Sequence, residues 1–318
     1  MKKKKVVIAL GGNAIQAKDA TAEAQQQALK ETARQLVKIL QAGYDLIITH
    51  GNGPQVGNIV LQQQASHSEK TPAMPLDTCG AMSQGMIGYW MENALEEAME
   101  EAGIRRNTAA VVTRVEVSPD DPAFFPPSKP IGPFYTAEEA KKIMETQHVV
   151  MKEDAGRGFR RVVPSPEPVN ILEHEMISQL VEGGQIVIAV GGGGIPVIRK
   201  PIGHTGVEAV IDKDFASWKL AELVDADVLL ILTAVGHVCI HYGEPDEKCL
   251  TDVSISEIKA YMERGEFQPG SMLPKVEAAV RFAESKPKRR AIITSLDHAF
   301  DALEGRAGTQ IMVEQVPV

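Results

Sequence analysis

Residues 5–12 read KVVIALGG and residues 45–53 read DLIITHGNG, so two short apolar runs rich in β-branched residues each end in a glycine turn. The residues between them repeat apolar side chains at helical spacing, which predicts a helix over about 21–42 that ends before Gly43. These side chains are Leu29, Ala33, Leu36, Val37 and Leu40. A strand, a helix and a second strand in this order are typical of a parallel α/β unit.

The same alternation continues along the chain. Further short strands are predicted at TAAVVT (108–113), QIVIAV (185–190), DVLLIL (227–232) and AIIT (291–294). Helices are expected to begin near Pro54, where the missing N–H costs nothing, and to run from near Cys79 to Ala102. The pattern predicts a three-layer open α/β/α sandwich with a mainly parallel central sheet.

One segment departs from this alternation. Nine of the nineteen prolines lie between Ser118 and Pro168, and the pair Thr136 and Glu139 forms a capping box that predicts a helix there. We interpret about 118–166 as a small protruding subdomain. It would belong to a single domain over 1–317, with an N-lobe over about 1–168 and a C-lobe over about 169–317.

Composition and charge exclude several classes of protein. The 318 residues include 44% hydrophobic and 24% charged residues, as in a globular protein. A formal charge of −9 argues against nucleic-acid binding, which depends on basic residues. The apolar run after Lys5 is too short for a signal peptide or a membrane span, so we expect a cytoplasmic protein without a membrane partner.

Cysteines and histidines offer no metal site in the sequence. Cys79, Cys239 and Cys249 are odd in number and contain no CxxC pair, so we expect unpaired thiols in a reducing cytosol. The eight histidines have no metal-like spacing.

Candidate ligand sites follow from the strand ends, because parallel α/β sheets bind ligands beyond their carboxyl ends. Turns of glycine or charged residues are expected there at 11–13, 51–53, 191–194 and 212–214. In the first two turns, backbone N–H groups and a helix N-terminus could hold one phosphate from two sides. A P-loop is excluded, and GGGGIP (191–196) does not fit GxGxxG. For that run we favour ligand contact over packing alone.

The charged residues leave two interpretations open. Lys213 could act on a transferred phosphoryl group while Asp214 orients lysines, or the segment could be a capping aspartate beside a solvated lysine. Lys275 could reach a nucleotide site or lie on a helix surface. No serine has the setting of a covalent nucleophile.

Eight motifs in order give the chain a specific resemblance over nearly its whole length: VVIALGGNA, ITHGNGPQVG, CGAMSQGMIGY, KPIGPFY, EDAGRGFRRVVPSP, GGGGIP, VIDKDFAS and GSMLPKVEAA. Together they resemble the carbamate kinases of the amino acid kinase superfamily. The resemblance implies an N-lobe for carbamoyl phosphate, a C-lobe for ADP or ATP, and a homodimer.

The resemblance also implies roles for individual residues. Substrate binding would fall to Gly11, Gly12, Asn13, Gly51, Asn52, Gln55, Gly192 and Gly193. The catalytic residues would be Lys213, Lys275, Asp214 and, from the subdomain, Lys129. The nucleotide would contact Thr233, Ala234, Val235, Met272 and Lys275.

The implied reaction is Mg²⁺-dependent phosphoryl transfer between carbamoyl phosphate and ADP, giving ATP and carbamate, in the breakdown of arginine or another carbamoyl donor. Two positions depart from the wider superfamily: Ala9 stands where many relatives have lysine, and Ala234 where many have aspartate. Another superfamily kinase, acting on an amino acid, a nucleoside monophosphate or an isoprenoid phosphate, is the nearest alternative. A ligand-binding sensor without catalysis is the alternative from another class.

Overall fold

The computed structural model describes residues 3–15, 19–147, 149–154 and 156–313, without the side chains of Asn13 and Gln147. The strands are β1 Lys5–Leu10, β2 Asp45–His50, β3 Thr108–Ala110, β4 Arg114–Val117, β5 Lys129–Tyr135, β6 Val150–Glu153, β7 Phe159–Val163, β8 Pro168–Ile171, β9 Ile186–Ile188, β10 Ile195–Arg199, β11 His204–Gly206, β12 Val228–Thr233, β13 Val238–Ile240, β14 Lys248–Leu250, β15 Asp252–Ser254, β16 Arg290–Ser295 and β17 Thr309–Met312. The α-helices are α1 Ala22–Gln41, α2 Gly53–Ala65, α3 Leu76–Glu101, α4 Ala137–Gln147, α5 His174–Glu182, α6 Lys213–Leu223, α7 Ile255–Glu263, α8 Met272–Glu284 and α9 Ala299–Leu303.

The central sheet has eight strands in the order β15-β17-β16-β12-β1-β2-β9-β3. All neighbours in it are parallel except β16 and β17. All six strands predicted from the sequence lie in this sheet, which confirms the mainly parallel α/β architecture.

Both faces of the sheet are buried. In β1, Val7 and Ala9 pack into one hydrophobic cluster with α6 and α8, whereas Val6, Ile8 and Leu10 pack into a second with α1 and α3. The alternation follows from the two-residue period of a strand, and burial on both faces explains why the strand sequence is apolar throughout.

Local signals place the helix ends. The Thr21 side chain accepts a hydrogen bond from the Ala24 N–H and caps α1, while Gly43 takes a left-handed φ of 88° after its end. Pro54 lies in the first turn of α2. In the predicted capping box, the Glu139 carboxylate accepts from the Thr136 N–H, and Thr136 Oγ1 accepts from the Glu139 N–H.

Residues 118–166 contribute a three-stranded sheet that is separate from the central sheet. Strands β5, β7 and β6 pair antiparallel in that order, and α4 lies between β5 and β6 in the chain. The contact with α2 is close: a Cβ added at Gly57 would lie 3.3 Å from the Cα of Gly132 in β5. We keep the name inserted subdomain for 118–166.

Two expectations about strands need correction. In TAAVVT only Thr108–Ala110 pairs in the sheet, because the following chain turns away and Thr113 donates its N–H to the Gln84 side chain. Residues 207–211 form no strand, so the turn at 212–214 does not follow a strand end as expected. The Val210 N–H instead donates to the Pro164 carbonyl, which lies at the end of the inserted subdomain.

The expectation of unpaired thiols is wrong for two of the cysteines. Cys239 in β13 and Cys249 in β14 face each other across an antiparallel pair and form a disulfide, whereas Cys79 is free and buried. The sequence spacing gave no sign of this pair because the hairpin that aligns it is set by pairing between strands. Across the described ranges, no helix has both the length and the apolar character needed to cross a bilayer.

Candidate functional site

A cluster of three charged residues, Lys213, Asp214 and Lys275, lies where α6 and α8 pack together. The Asp214 carboxylate is 1% exposed, and it accepts from Lys213 Nζ at 2.5 Å through Oδ1 and from Lys275 Nζ at 3.0 Å through Oδ2. Burial alone would raise the pKa of Asp214, but the two ammonium groups and their hydrogen bonds lower it to about 2. Asp214 therefore stays ionised and fixes both lysines. We call Lys213, Asp214 and Lys275 the charged cluster.

Arg281 supports the arrangement of the two helices. Its guanidinium, in α8, lies 5.0 Å from the ring centre of Phe215 and 5.1 Å from that of Trp218, both in α6. It also donates two hydrogen bonds of 2.8 Å to the Glu167 carboxylate, which precedes β8. These contacts hold the helix carrying Lys275 against the helix carrying Lys213 and Asp214.

The N-terminus of α6 settles which aspartate is the cap. Asp212 Oδ1 accepts from the Asp214 N–H at 2.9 Å, so Asp212 caps the helix and Asp214 is free to bind lysines. The Lys213 side chain is only 15% exposed. The interpretation as a capping aspartate is thus right for Asp212, whereas a solvated lysine is wrong for Lys213. The other oxygen of Asp212 accepts from Lys129 Nζ at 2.7 Å.

The second glycine turn lies beside the charged cluster. A Cβ added at Gly51 would lie 3.4 Å from Cδ of Lys213. The neighbouring Asn52 is buried and donates from Nδ2 to Ser83 Oγ at 2.7 Å. A side chain at Gly192 would overlap the Asn52 amide, so the structure brings the turn at 51–53 and the glycine run at 191–194 together.

The glycine run requires glycine for steric reasons. Gly192, Gly193 and Gly194 all have φ between 67° and 89°, a region that L side chains avoid. An added Cβ would overlap the Ile211 carbonyl at Gly193 and the Val115 side chain at Gly194. Packing alone therefore accounts for these two positions, and the expected ligand contact is not needed to explain them.

The first glycine turn is held against the sheet. Gly11 donates its N–H to the Leu232 carbonyl at 3.0 Å, and an added Cβ there would lie 2.6 Å from the same oxygen. Gly12 begins a short 3-10 turn and is exposed. Asn13 lies in this turn, but its side chain is outside the described residues.

Gln55, in the first turn of α2, is 4% exposed. It donates from Nε2 to Gln25 Oε1 at 2.9 Å, and its own Oε1 accepts no hydrogen bond from the described residues. A buried acceptor without a donor is costly, so this oxygen fits a ligand that carries an N–H group.

His50, just before the second glycine turn, is buried and neutral. Burial lowers its pKa to about 4, against the opposing effect of a hydrogen bond to the Gly51 carbonyl. Because a carbonyl only accepts, Nδ1 carries the proton in this 2.7 Å bond. A Cβ added at Gly191 would lie 2.6 Å from Nε2 of the ring, so His50 packs against the glycine run.

Sequence reasoning missed several residues that build this site. Gln84 in α3 donates from Nε2 to the Gly191 carbonyl at 3.0 Å and accepts the Thr113 N–H at 2.9 Å. Ser83, its neighbour, accepts from Asn52. Both residues lie in the motif CGAMSQGMIGY, which contributed to the family resemblance but was given no role. Their helical phase could have placed them on the inner face of α3.

A large cleft of about 620 Å³ lies next to the end of β12. The cleft is lined by Thr233, Ala234, Val235 and Met272, the residues that the resemblance assigned to the nucleotide. Lys275 follows Met272 in α8 and points to the charged cluster through Asp214. The other lining residues had not been identified from their pattern in the chain; they are His237, Cys239, His241, Tyr242, Glu244, Gly265, Glu266, Phe267, Gln268 and Ser271.

His241, which lines this cleft, lies between two carboxylates. Nδ1 contacts Asp246 Oδ2 at 2.7 Å, and Nε2 lies 3.4 Å from Glu266 Oε1. The hydrogen bond with Asp246 raises the pKa of His241, with smaller contributions from Asp246 and Glu266 charges. The pKa shift of His241 is thus opposite in direction to that of the buried His50.

Metal ligands are scarce at the charged cluster. Both Asp214 oxygens accept from lysines, and both Asp212 oxygens already have donors. Among the described residues, the one metal-like group is Cys239, Glu247 and Cys249, whose sulfurs are joined in the disulfide. A Mg²⁺ ion at the charged cluster would therefore need ligands from a bound molecule.

Chemically, this arrangement suits a phosphoryl group. Two ammonium groups fixed on one buried carboxylate lie beside a glycine turn at the N-terminus of α2. Ala9, where many superfamily relatives carry lysine, is fully buried in β1, so the cations here come from α6 and α8, with Lys129 in β5 next to them.

Comparisons with known proteins identify the family. The model of the amino acid kinase family matches residues 4–295. Carbamate kinase 1 of Enterococcus faecium is 59% identical over 295 residues, which cover 93% of this chain and 94% of that protein. Carbamate kinase 2 of Staphylococcus aureus is 54% identical over 310 residues, covering 97% and 99%.

Structural similarity extends over the same length. The carbamate kinase from Giardia lamblia bound to AMP-PNP has a TM-score of 0.91 and 46% identity, covering 98% of this chain and 99% of that one. Sequence identity this high, over nearly the whole chain and with the same fold, leaves no room for a more distant superfamily kinase. The chain is a kinase that belongs to the carbamate kinases of the amino acid kinase family.

Proposed function

We propose that this enzyme transfers a phosphoryl group between carbamoyl phosphate and ADP, with Mg²⁺, giving ATP and carbamate. The observation that carries the proposal is the charged cluster beside the second glycine turn, because it supplies fixed cations where a phosphoryl group would pass. Similarity to the carbamate kinases supports the choice of substrates.

Carbamoyl phosphate would bind at the two glycine turns. The N–H groups of Gly11 and Gly51 donate to the carbonyls of Leu232 and Leu10, so the backbone N–H groups at 12–13 and 52–53 would hold its phosphate. Lys129 would reach it from the inserted subdomain. The buried Oε1 of Gln55, which lacks a donor among the described residues, would accept from the carbamoyl NH₂ group. We retain Asn52, Gly192 and Gly193 as the residues that shape this pocket.

The nucleotide would occupy the large cleft. Thr233, Ala234, Val235 and Met272 line it, and the helix that begins at Met272 leads one turn further to Lys275. A β-phosphate at that end of the cleft would lie next to the charged cluster. The N-lobe would thus hold carbamoyl phosphate and the C-lobe ADP, with the phosphoryl group passing between them.

Transfer would be an in-line attack by an ADP β-phosphate oxygen on the phosphorus of carbamoyl phosphate. The P–O bond to the carbamoyl group breaks, and carbamate leaves. No general base is needed, because the attacking oxygen is already ionised. Lys213 and Lys275 would stabilise the equatorial oxygens in the transition state, and Asp214 would keep both ammonium groups in position.

Mg²⁺ would bind at this site only together with the nucleotide, since no described carboxylate of the charged cluster is free to coordinate it. When bound to nucleotide phosphates, the ion neutralises part of their charge. The residues of this chain would orient the phosphates around it.

We further propose that the protein is a homodimer and that it is located in the cytoplasm. We also propose that it forms ATP during the breakdown of arginine or another carbamoyl donor. Exposed apolar side chains support the dimer: Met82 and Tyr89 on α3, and Val112 just beyond the edge strand β3, are 40%, 59% and 53% exposed. Light scattering on the wild type and on Tyr89→Lys would test it, with a dimer lost in the variant as the expected result.

Incubating the purified protein with ADP, Mg²⁺ and carbamoyl phosphate tests the reaction through ATP formation. ATP from the wild type, and far less from Lys213→Ala prepared in parallel, is the expected result. Absence of ATP with carbamoyl phosphate, but turnover of an amino acid or nucleoside monophosphate with ATP, would contradict the proposal. Binding of both substrates without any turnover would indicate a sensor.

A further inference from the structure

Asp212 contacts two parts of the molecule with the two oxygens of one carboxylate. Oδ1 accepts from the Asp214 N–H at 2.9 Å and caps α6. Oδ2 accepts from Lys129 Nζ at 2.7 Å, and Lys129 is the first residue of β5 in the inserted subdomain. A single side chain therefore joins the subdomain to the helix that carries Lys213 and Asp214.

The environment of this ion pair favours a fixed geometry. The Lys129 and Asp212 side chains are 33% and 16% exposed, so neither is freely solvated. The N-terminus of α6 stabilises a negative charge on Asp212, as it does in any first helical turn. The cap hydrogen bond also limits the rotation of the carboxylate, and this sets the direction from which Lys129 can bind.

Each lysine that the proposed reaction uses has one aspartate as its partner. Asp214 holds Lys213 and Lys275, and Asp212 holds Lys129. Lysine has a long flexible side chain, and a cation that is fixed before substrate arrives does not lose that freedom on binding. Without Asp212, Lys129 would sample many positions at the edge of the subdomain.

We propose that Asp212 is a positioning residue that aligns Lys129 for the phosphate of carbamoyl phosphate and thereby couples the inserted subdomain to α6. The proposal rests on the proposed function for its kinetic consequences. Asp212 itself acts through Lys129 and touches no substrate.

Asp212→Asn separates the two roles of the side chain. Asparagine caps helices as well as aspartate does, so its oxygen can still accept the Asp214 N–H while the charge that holds Lys129 is lost. We expect KM for carbamoyl phosphate to rise about tenfold, since a charge-assisted hydrogen bond is lost, and KM for ADP to stay within about twofold. An unchanged KM for carbamoyl phosphate, or an equal rise for both substrates, would overturn the proposal.

Asp225→Asn is the matched control. Asp225 lies just beyond the opposite end of α6, and it accepts from Lys286 Nζ at 2.9 Å and from the Arg289 guanidinium at 2.8 Å. Its φ of 51° suits asparagine. The same substitution there should leave both KM values unchanged.

A double-mutant cycle with Lys129→Met tests whether Asp212 affects KM for carbamoyl phosphate through Lys129. If Asp212 acts through Lys129, then Asp212→Asn should add less than about twofold to KM for carbamoyl phosphate once Lys129 is replaced. A full additional rise in the Lys129→Met background would show that Asp212 works in another way.

Hydrogen exchange supplies a test that needs no turnover. Amides of β5 should exchange several-fold faster in Asp212→Asn than in the wild type or Asp225→Asn, because β5 loses its tie to α6. Unchanged exchange in β5 would contradict the coupling. If the wild type made no ATP, the proposed function would fail, while this comparison would still decide whether Asp212 holds Lys129 and the subdomain.

Discussion

The charged cluster and the large cleft are the two parts of the proposed site, yet they are built differently. At the charged cluster, the side chains of Lys213, Asp214 and Lys275 are nearly buried and each has a fixed partner. The large cleft is open and lined by many partly exposed residues, with His241 between two carboxylates at one side. One part is buried and charged, and the other is wide and partly exposed.

Under the proposed function, the difference follows from what each part would bind. A phosphoryl group in transfer needs cations fixed in advance, because reorganisation during the reaction would cost rate. A nucleotide base and sugar need space and a few polar groups, so many sequences can build their cleft. Substitutions should therefore be costly at the charged cluster and mild in the large cleft.

The largest effect is expected for Lys213→Ala. Loss of one fixed cation should cost about 3 to 4 kcal/mol of transition-state stabilisation, which lowers kcat by about 100- to 1000-fold and changes KM far less. Steady-state kinetics with both substrates measures this, and Lys219→Ala on the same helix is the control, since Lys219 pairs with Glu222 outside the charged cluster. Activity within tenfold of the wild type would remove Lys213 from the mechanism.

His50 near the charged cluster and His241 in the large cleft should contribute differently to the pH dependence of stability. His50 has a pKa lowered to about 4 by burial, so between about pH 6.5 and pH 4 the unfolded chain binds a proton that the folded chain does not. Stability should then fall as pH falls, by about 2 kcal/mol between about pH 7 and pH 5. Urea unfolding at both pH values measures this in the wild type and in His50→Asn.

In His50→Asn the part of the pH dependence that comes from this histidine should disappear. A cavity or a lost contact would instead lower stability equally at both pH values. The contribution of His241 to the pH dependence of stability has the opposite sign. Its raised pKa gives stability that is present at low pH and lost as pH rises. If His50→Asn kept the full slope between the two pH values, His50 would not be buried and neutral.

Gly192→Ala should destabilise the glycine run by about 1 to 2 kcal/mol through its positive φ, and further through overlap with Asn52. Gly203→Ala provides the control, since Gly203 has a similar φ of 75° but has no atom within 4 Å of an added Cβ. Thermal unfolding gives the stability of both variants. A greater loss for Gly192→Ala, together with a raised KM for carbamoyl phosphate, is expected. Equal losses with unchanged KM would assign the whole effect to backbone strain.

The smallest effect is expected at Ala234, which is exposed in the large cleft. Ala234→Asp restores the residue found in many superfamily relatives. KM for ADP should change by less than about fivefold, because an exposed charge interacts weakly through solvent. KM for carbamoyl phosphate should not change. A loss of nucleotide binding as large as the effect of Lys213→Ala would show that the cleft is as demanding as the charged cluster.

Much of the fold and part of the candidate site could be predicted from the sequence. Apolar runs of the right length gave the six strands, and Thr21, Gly43, Pro54 and the Thr136–Glu139 pair marked helix ends through local physics. The glycine turns and Lys213-Asp214 were found because their chemistry lies in consecutive residues. The roles of Ser83 and Gln84 were not predicted, since a polar residue on a long helix gains its role only from what the helix packs against.

The sequence by itself determined the alternation of strands and helices, the caps, the glycine positions and the family, because these depend on backbone sterics and on patterns within short stretches. Only the tertiary structure decided that Asp212 caps α6 while Asp214 holds two lysines, that Lys129 reaches Asp212, and that Cys239 pairs with Cys249. Each of these last contacts depends on where a side chain lies once helices, strands and the inserted subdomain have packed together. Spacing along the chain carries no such information.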